Sequence, residues 1–252
     1  FERECIGGTV NLLMLARDAY INNQNVHFNF TSSISTSLGS KAHVKEDELP
    51  QDVSSAIFNG YSLSKFITEH ICAEWSRKIG FKLDIHRVGQ VCGDSVTGIW
   101  NTKEHISLMI KGAQVMKIMP DSYISNVDWI PVDIASQSIV EISLNASFDN
   151  NIDYIRVNHI LNPKRITWDE FLKSLQKSGM NFKIVSNKKW LKTLKTPEYQ
   201  DVDKNPVAAL SGFFEKTISE SSNRSEEPLF ETHKSVNRSL ALSNCQKIDV
   251  EL

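Results

Sequence analysis

The sequence predicts an α/β protein built on a doubly wound parallel sheet, and three stretches carry that expectation. Val26-His-Phe-Asn-Phe30 alternates in strand fashion and runs into the hydroxyl series Thr31-Ser32-Ser33. Residues 60–78 read as a helix with Phe66, Ile67, Ile71 and Trp75 as its buried stripe. Lys82-Leu-Asp-Ile-His-Arg-Val88 then reads as a second strand. Strand, loop, helix, strand in that order joins two parallel neighbours through a helical crossover.

The remaining elements follow from periodicity and turn chemistry. Residues 1–20 form a helix with Ile6, Val10, Leu13, Met14 and Leu15 at helical spacing. Gly7-Gly8 inside it suggests close packing, because each mid-helix glycine costs about 1 kcal/mol. The polar stretch 34–59 is a long loop flanking a substrate mouth, with its acidic run Lys45-Glu-Asp-Glu48 solvated. Gly89-Gln-Val-Cys-Gly93 turns the chain at the C-terminal edge of the sheet, where open α/β sheets bind ligands. Residues 94–101 are a polar, aromatic loop before a helix over 104–116. Residues 123–130 are irregular, and Asp133 caps a helix over 134–144. A strand over 152–157 precedes an amphipathic helix over 167–178, with Trp168, Phe171, Leu172 and Leu175 inward and a capping box of Thr167 and Glu170. A short strand over 182–185, helices over 188–194 and 207–218, and a polar, mobile stretch over 219–228 complete the chain. Trp75 and Trp168 read as core residues, and His86 and His159 as structural histidines.

Composition narrows the function. With 252 residues the chain can bury one large core or two modest ones. A net charge of -2 argues against a nucleic-acid or polybasic membrane binder. No apolar run reaches the length of a membrane span, and no secretory signal opens the chain. Cys5, Cys72, Cys92 and Cys245 are widely separated, which fits free thiols in a reducing, cytoplasmic setting, and no cluster has metal-ligand spacing. The sequons at Asn29, Asn145, Asn223 and Asn237 then read as coincidence, Asn29 lying in a buried strand. Both ends look cut, so the chain reads as a fragment.

The chemistry centres on Tyr61-Ser-Leu-Ser-Lys65. Residues four apart share a helix face. An ammonium beside a phenol favours the phenolate, which makes the phenol a usable proton donor near neutrality. Ser33 could hold a carbonyl oxygen in front of that phenol. This is the Ser/Tyr/Lys chemistry of carbonyl reduction by a nicotinamide. With five tyrosines in the chain the spacing alone says little; the flanking strands give it weight.

Several further segments carry a family resemblance. They are Gly8-Thr-Val-Asn-Leu-Leu13, Ser32-Ser33 after a strand, and Gly60-Tyr61 with Lys65 and Glu69. Arg87-Val-Gly-Gln-Val-Cys-Gly93-Asp94, Gly98-Ile-Trp100-Asn101 and Trp129-Ile-Pro-Val-Asp133 follow, then Asn158-His159, Asn162-Pro163 and Trp168. In order and spacing the chain resembles the thioester reductase domains of nonribosomal-peptide-synthetase-like enzymes and carboxylic acid reductases, which are extended short-chain dehydrogenases/reductases. The resemblance implies a partial Rossmann-like domain over 1–135, with substrate-domain insertions near 94–130, and a smaller α+β substrate-binding part over 136–252. It implies NADPH-dependent reduction of an acyl thioester, presented on the phosphopantetheine of a carrier domain, to an aldehyde or alcohol. It places the catalytic set on Ser33, Tyr61 and Lys65, and cofactor contacts on Ser32, Tyr61, Lys65, Arg87, Val88, Gly89 and Val91. Ser33 and Trp100 fall at the acyl substrate, and Glu69 anchors its helix.

Two features depart from the family pattern. These residues hold no Gly-rich, phosphate-cradling loop, so little NADPH binding is expected from them alone. The position of the family's proton-relay Asn holds Cys5. The rival readings are a fatty acyl-CoA or sugar-nucleotide reductase of the same superfamily, and a non-catalytic module that binds a carrier domain.

Overall fold

The computed structural model describes residues 1–40, 43–144, 154–221 and 228–249. Asn145, Asn223, the start of the strand expected over 152–157, most of the stretch 219–228 and the last three residues lie outside the described residues. In chain order come a π-helix (Glu2–Gly7), α1 (Gly8–Ile21), β1 (His27–Ser33), α2 (Gly60–Ile79), β2 (Lys82–Val88) and β3 (Val91–Cys92). Then follow α3 (His105–Met116), β4 (Ile118–Pro120), β5 (Asn126–Val127), β6 (Ile130–Pro131), α4 (Val132–Leu144) and β7 (Ile155–Ile160). β8 (Ile166–Thr167), α5 (Trp168–Lys177), β9 (Lys183–Val185), α6 (Asn187–Leu194), α7 (Ser211–Ser221), α8 (His233–Arg238) and α9 (Leu240–Asn244) close the series.

Contacts divide the chain into two compact units. The first holds Phe1–Val91, Val132–Pro163 and Glu227–Cys245; the second holds Cys92–Pro131, Lys164–Glu226 and Gln246–Leu252. The units are interleaved along the sequence. The stretch expected as an insertion near 94–130 lies in the second unit, whereas α4 and β7 lie in the first, where β7 completes the sheet beside β2.

The sheet of the first unit runs β1-β2-β7, all parallel, with Ser33 opposite Val88 and Val88 opposite Ile160. One face is apolar: Phe30, Leu83, Ile85 and Val157 pack with Leu13 of α1 and with Cys72 and Ala73 of α2. The other face is polar. Parallel strands covered on both faces usually read as unbroken apolar runs. Here Asp84 is buried yet accepts from His27 Nε2 (2.8 Å), Arg156 Nε (2.8 Å) and Asn158 Nδ2 (3.1 Å). Burial pushes the Asp84 carboxyl up, but hydrogen bonds from His27 and Arg156 outweigh it and hold the group well below the carboxylate range. His86, on the same face, lies 3.1 Å from Asn29 Oδ1, and burial brings it down to about 4. These bonds explain why the strands alternate instead of running apolar.

Several sequence expectations are corrected. Met14 and Leu15 are exposed, because only Leu13 and Ala16 of α1 face the sheet. A Cβ on Gly8 would meet no protein atom within 4 Å, so Gly7-Gly8, at the passage from π- to α-helix, is not packed against the sheet. Ile67 is 43% exposed; α2 buries Phe66, Glu69, Cys72 and Ser76 instead, since Ile67 lies about 100° further round. Asn29 is exposed, because β1 is an edge strand among the described residues. β5 pairs antiparallel with β8 inside the stretch read as irregular. Asp133 is not a cap, because α4 starts at Val132 directly after β6; it sits in the first turn, where a carboxylate meets the helix dipole favourably.

In the acidic run 45–48, Lys45, Asp47 and Glu48 are exposed as expected, but Glu46 is not solvated. Glu46 is buried and accepts from the backbone N–H groups of Lys234 (2.6 Å), Ser235 (2.9 Å) and His159 (3.2 Å), and from the Ser235 hydroxyl. Asp47 pairs with Lys234 at 2.6 Å, and Glu48 pairs with Arg77. The run fastens the 228–245 strap to the first unit.

The second unit is held by an aromatic core in which Trp129, Trp168, Phe171, Tyr123, Phe214 and Trp190 are buried. α5 starts with the expected capping box: Thr167 Oγ1 accepts from Glu170 N–H, and Glu170 accepts from Thr167 N–H at 2.7 Å. Trp168 Nε1 donates to Pro120 O at 2.9 Å, so its core placement is satisfied. All four cysteines are free thiols, and burial pushes Cys72 up to about 12. No helix among the described residues is long and apolar enough to cross a membrane.

Candidate active site

Helix α2 starts where Asn59 Oδ1 accepts the Ser62 N–H at 2.9 Å, which puts Tyr61 in the first turn. Asparagine at this position satisfies one of the free N–H groups of a helix start. Tyr61 is 44% exposed, with the Phe1 ring edge-on at 6.3 Å between centroids. One turn on, Lys65 Nζ donates to Thr31 O at 2.7 Å and lies 4.9 Å from the Phe30 ring centroid. Lys65 thus ties the Tyr61 face of α2 to the end of β1, two residues before Ser33. Burial pulls the Lys65 ammonium down, while Cys5 and Glu69 act in the opposite direction.

Ser33 ends β1 half-buried, and its Oγ accepts from Ser35 N–H at 3.2 Å. A hydroxyl used as an acceptor keeps its own proton to donate, for example to a carbonyl oxygen. Ser32 points the other way, as alternation requires, and its hydroxyl donates to Glu69 Oε1 at 2.5 Å.

Arg87 is 1% exposed. Its Nε donates to both Glu69 oxygens at 3.1 Å, and its Nη2 donates to Glu69 Oε2 (2.8 Å) and Asp47 O (3.0 Å). Its Nη1 lies 3.3 Å from His159 Nε2. The Arg87 side chain is therefore committed to the protein, as is that of Ser32; what the turn over 87–91 offers a ligand is backbone and the half-buried Val88 and Val91. Gly89 is needed there because a Cβ would fall 2.0 Å from Leu161 Cδ2. Glu69 anchors its helix as the sequence suggested; its partner Arg87 was expected at the cofactor, and the bond to Glu69 was not foreseen.

Ser32, Ser33, Tyr61, Lys65, Arg87, Val88, Gly89 and Val91 all belong to the first unit. Trp100 belongs to the second, where its Nε1 donates to Glu104 at 3.1 Å and its ring meets Trp129 edge-on at 5.9 Å. Cys5 is half-buried on the π-helix, and its carbonyl accepts from Thr9 Oγ1 at 2.8 Å.

The donor set fits one end of a nicotinamide dinucleotide. Thr31 takes one of the three ammonium protons of Lys65, leaving two for ribose hydroxyls beside the phenol.

Comparison with known proteins adds an independent line. Residues 3–139 match the NAD-binding protein family described as Male sterility protein. The chain is 32% identical over 219 residues to 3-methylorcinaldehyde synthase tropA of Talaromyces stipitatus, covering 82% of this chain and 8% of that one. It is 31% identical over 195 residues to the non-canonical non-ribosomal peptide synthetase ascB of Acremonium egyptiacum, covering 74% and 17%. Among solved structures, it superposes on the terminal R domain from the myxalamid PKS-NRPS biosynthetic pathway with a TM-score of 0.70 and 26% identity, covering 88% of this chain and 55% of that one. A thiolation-reductase di-domain from an archaeal non-ribosomal peptide synthetase shares the fold, with a TM-score of 0.64 at 20% identity, covering 94% and 48%. The chain spans less than a tenth of the length of the polyketide synthases it matches.

Proposed function

The chain belongs to the NAD-binding family described as Male sterility protein, and from that premise we propose that it reduces a carrier-bound acyl thioester to an aldehyde with NADPH. The fold is the Rossmann-like one of extended short-chain dehydrogenases/reductases. The observation that carries the reading is the 2.7 Å bond from Lys65 Nζ to Thr31 O. It couples the phenol-bearing face of α2 to the strand end that presents Ser33.

In this reading the bound nicotinamide supplies a hydride to the thioester carbon. Ser33 and Tyr61 donate hydrogen bonds to the carbonyl oxygen and stabilise the charge that gathers there. The Tyr61 phenol hands its proton to that oxygen, and Lys65 stabilises the phenolate left behind while holding the ribose. When the resulting thiohemiacetal collapses, its hydroxyl proton returns to Tyr61, the carbon–sulfur bond breaks, and the thiolate is protonated by solvent. The aldehyde leaves and the carrier keeps its pantetheine thiol. The name of tropA as an aldehyde synthase supports the two-electron product, and the synthetase relatives support a phosphopantetheinylated carrier as partner. Four free thiols fit a reducing, cytoplasmic setting.

The test is Tyr61→Phe in the full polypeptide that carries this domain, assayed for NADPH oxidation with acyl-pantetheine, acyl-CoA and sugar-nucleotide substrates. Acyl-pantetheine is expected to be the best substrate, and the variant to lose at least about 100-fold in kcat. Activity within a few-fold of the parent would refute the assignment of Tyr61. A preference for sugar nucleotides would refute the substrate class.

A further inference from the structure

We propose that Glu69 is a positioning residue for this reaction: its carboxylate is the junction that fixes the Tyr61–Lys65 face of α2 against the ends of β1 and β2. The inference rests on the reading of Ser33, Tyr61 and Lys65 as the reacting set.

The Glu69 carboxylate is almost wholly buried and gathers groups from three places. Ser32 Oγ, from the end of β1, donates to Oε1 at 2.5 Å. Thr36 Oγ1, from the short 3-10 turn after the strand, lies 3.4 Å from the same oxygen and donates to Ser33 O at 2.9 Å. Arg87, from the end of β2, holds both oxygens. Ser32 directly precedes Ser33 and is held by the carboxylate, while Thr36 holds the Ser33 carbonyl, so the chain is fixed on both sides of the proposed carbonyl-binding hydroxyl. One turn back along α2 is Lys65, whose own bond goes to Thr31. Two consecutive α2 side chains on one face, Lys65 and Glu69, thus grip consecutive residues of β1, Thr31 and Ser32. A bond to Thr31 alone would leave α2 free to rock about that point; the second contact fixes the angle. A buried carboxylate is costly unless paired and hydrogen-bonded, and Glu69 is both.

The clamp also acts through charge. The charged or titratable groups acting on Lys65 are Glu69 and Cys72 on its own helix and Cys5 on the π-helix. Burial drives its ammonium toward the neutral amine, and Cys5 and Glu69 oppose that. Removing the Glu69 charge therefore moves Lys65 deprotonation to lower pH. A group that only held the fold together would leave that limb of the rate profile in place.

The experiment is Glu69→Gln and Glu69→Asp in the full polypeptide, beside the Tyr61→Phe control, with kcat, KM, NADPH affinity and the pH profile of kcat. For Glu69→Gln we expect kcat to fall about tenfold or more with KM within about threefold, and the alkaline limb to move to lower pH. Glu69→Asp keeps the charge but shortens the reach, so it should lose kcat while its alkaline limb stays with the parent. If Tyr61→Phe is inactive and Glu69→Gln keeps kcat within about twofold, or loses rate without a shift of the limb, the positioning role is overturned and the reductase reading stands. If Tyr61→Phe is active, the underlying reading fails and this inference with it. Should Glu69→Gln not fold, Ser32→Ala removes one hydroxyl from the same carboxylate. A fall of about threefold or more in kcat at unchanged NADPH affinity then supports the role, and a smaller fall, or weakened NADPH binding, overturns it.

Discussion

Replacing Glu46 by alanine separates two readings of the acidic run 45–48. A solvated carboxylate on a loop is worth within about 0.5 kcal/mol. The structure makes Glu46 the buried acceptor for three donors that open α8 and its flank: the N–H groups of Lys234 and Ser235 and the Ser235 hydroxyl. His159 N–H also reaches it, but keeps Ser235 Oγ at 2.8 Å as a second acceptor. Each buried donor left without an acceptor costs about 1–3 kcal/mol. Lys234 is partly exposed, and water can replace some of its bond. Taking about 1 kcal/mol for Lys234 and about 1–2 kcal/mol for each Ser235 donor gives roughly 3–5 kcal/mol, the range for breaking a buried, hydrogen-bonded charge. The assay is denaturant unfolding of parent and Glu46→Ala protein, with amide hydrogen exchange at Lys234 and Ser235. Those two amides should exchange faster by the same free energy, because the strap over 228–245 loses its fastening. A stability change under about 0.5 kcal/mol with unaltered exchange would show that the carboxylate is exposed, and the account of the strap would be wrong.

Three further outcomes follow from other parts of the fold. Burial holds His86 at about 4 and His159 at about 3. Their contribution to stability is therefore complete above the ordinary histidine value of 6.5, and is lost as pH falls through 6.5 toward the folded values, because the unfolded chain takes up protons that the native state refuses. Urea unfolding at pH 5 should show a loss of about 2 kcal/mol per histidine relative to pH 7, accompanied by proton uptake, and a flat profile would contradict their burial. Gly89→Ala places a methyl 2.0 Å from Leu161 Cδ2; it should cost about 1–3 kcal/mol, read as a lowered Tm, with part of the loss recovered in Gly89→Ala/Leu161→Val. Thr167→Ala removes the α5 cap and should cost about 1 kcal/mol in unfolding experiments, against no effect if the box were incidental.

Local signals were legible in the sequence where one residue type has one strong use. The Thr167/Glu170 box, the helix bearing Tyr61 and Lys65, and the strand ending at Val88 all emerge as read. What escaped depended on partners distant in sequence. Asp84 and His86 alternate with apolar residues, a pattern that says only that one face is polar. That this face is buried becomes visible when Arg156 and Asn158 arrive on β7, more than seventy residues later. The Lys45-Glu-Asp-Glu48 run has the composition of a solvated loop, and nothing local reveals that Glu46 meets the start of α8. At the candidate site, spacing put Lys65 beside Tyr61, but not the cross-contact to Thr31. Arg87 was assigned by position in a motif; its role in holding Glu69 follows from the register that sets Ser32 opposite Arg87.

That register has an insurance of its own. Sliding β2 by one residue against β1 would thrust Asp84 and His86 into the layer occupied by Phe30 and Cys72, and expel Leu83 and Ile85 among the ions. Neither exchange is tolerable, so a slip of one residue is excluded. The charged layer near the middle of the sheet thereby acts as a ruler for its rim: it decides, several residues away, that Ser33 ends level with Val88. A neutral substitution at position 84 would take from Arg156 and Asn158 the carboxylate they bond, and in weakening the protein would also blur where that rim lies.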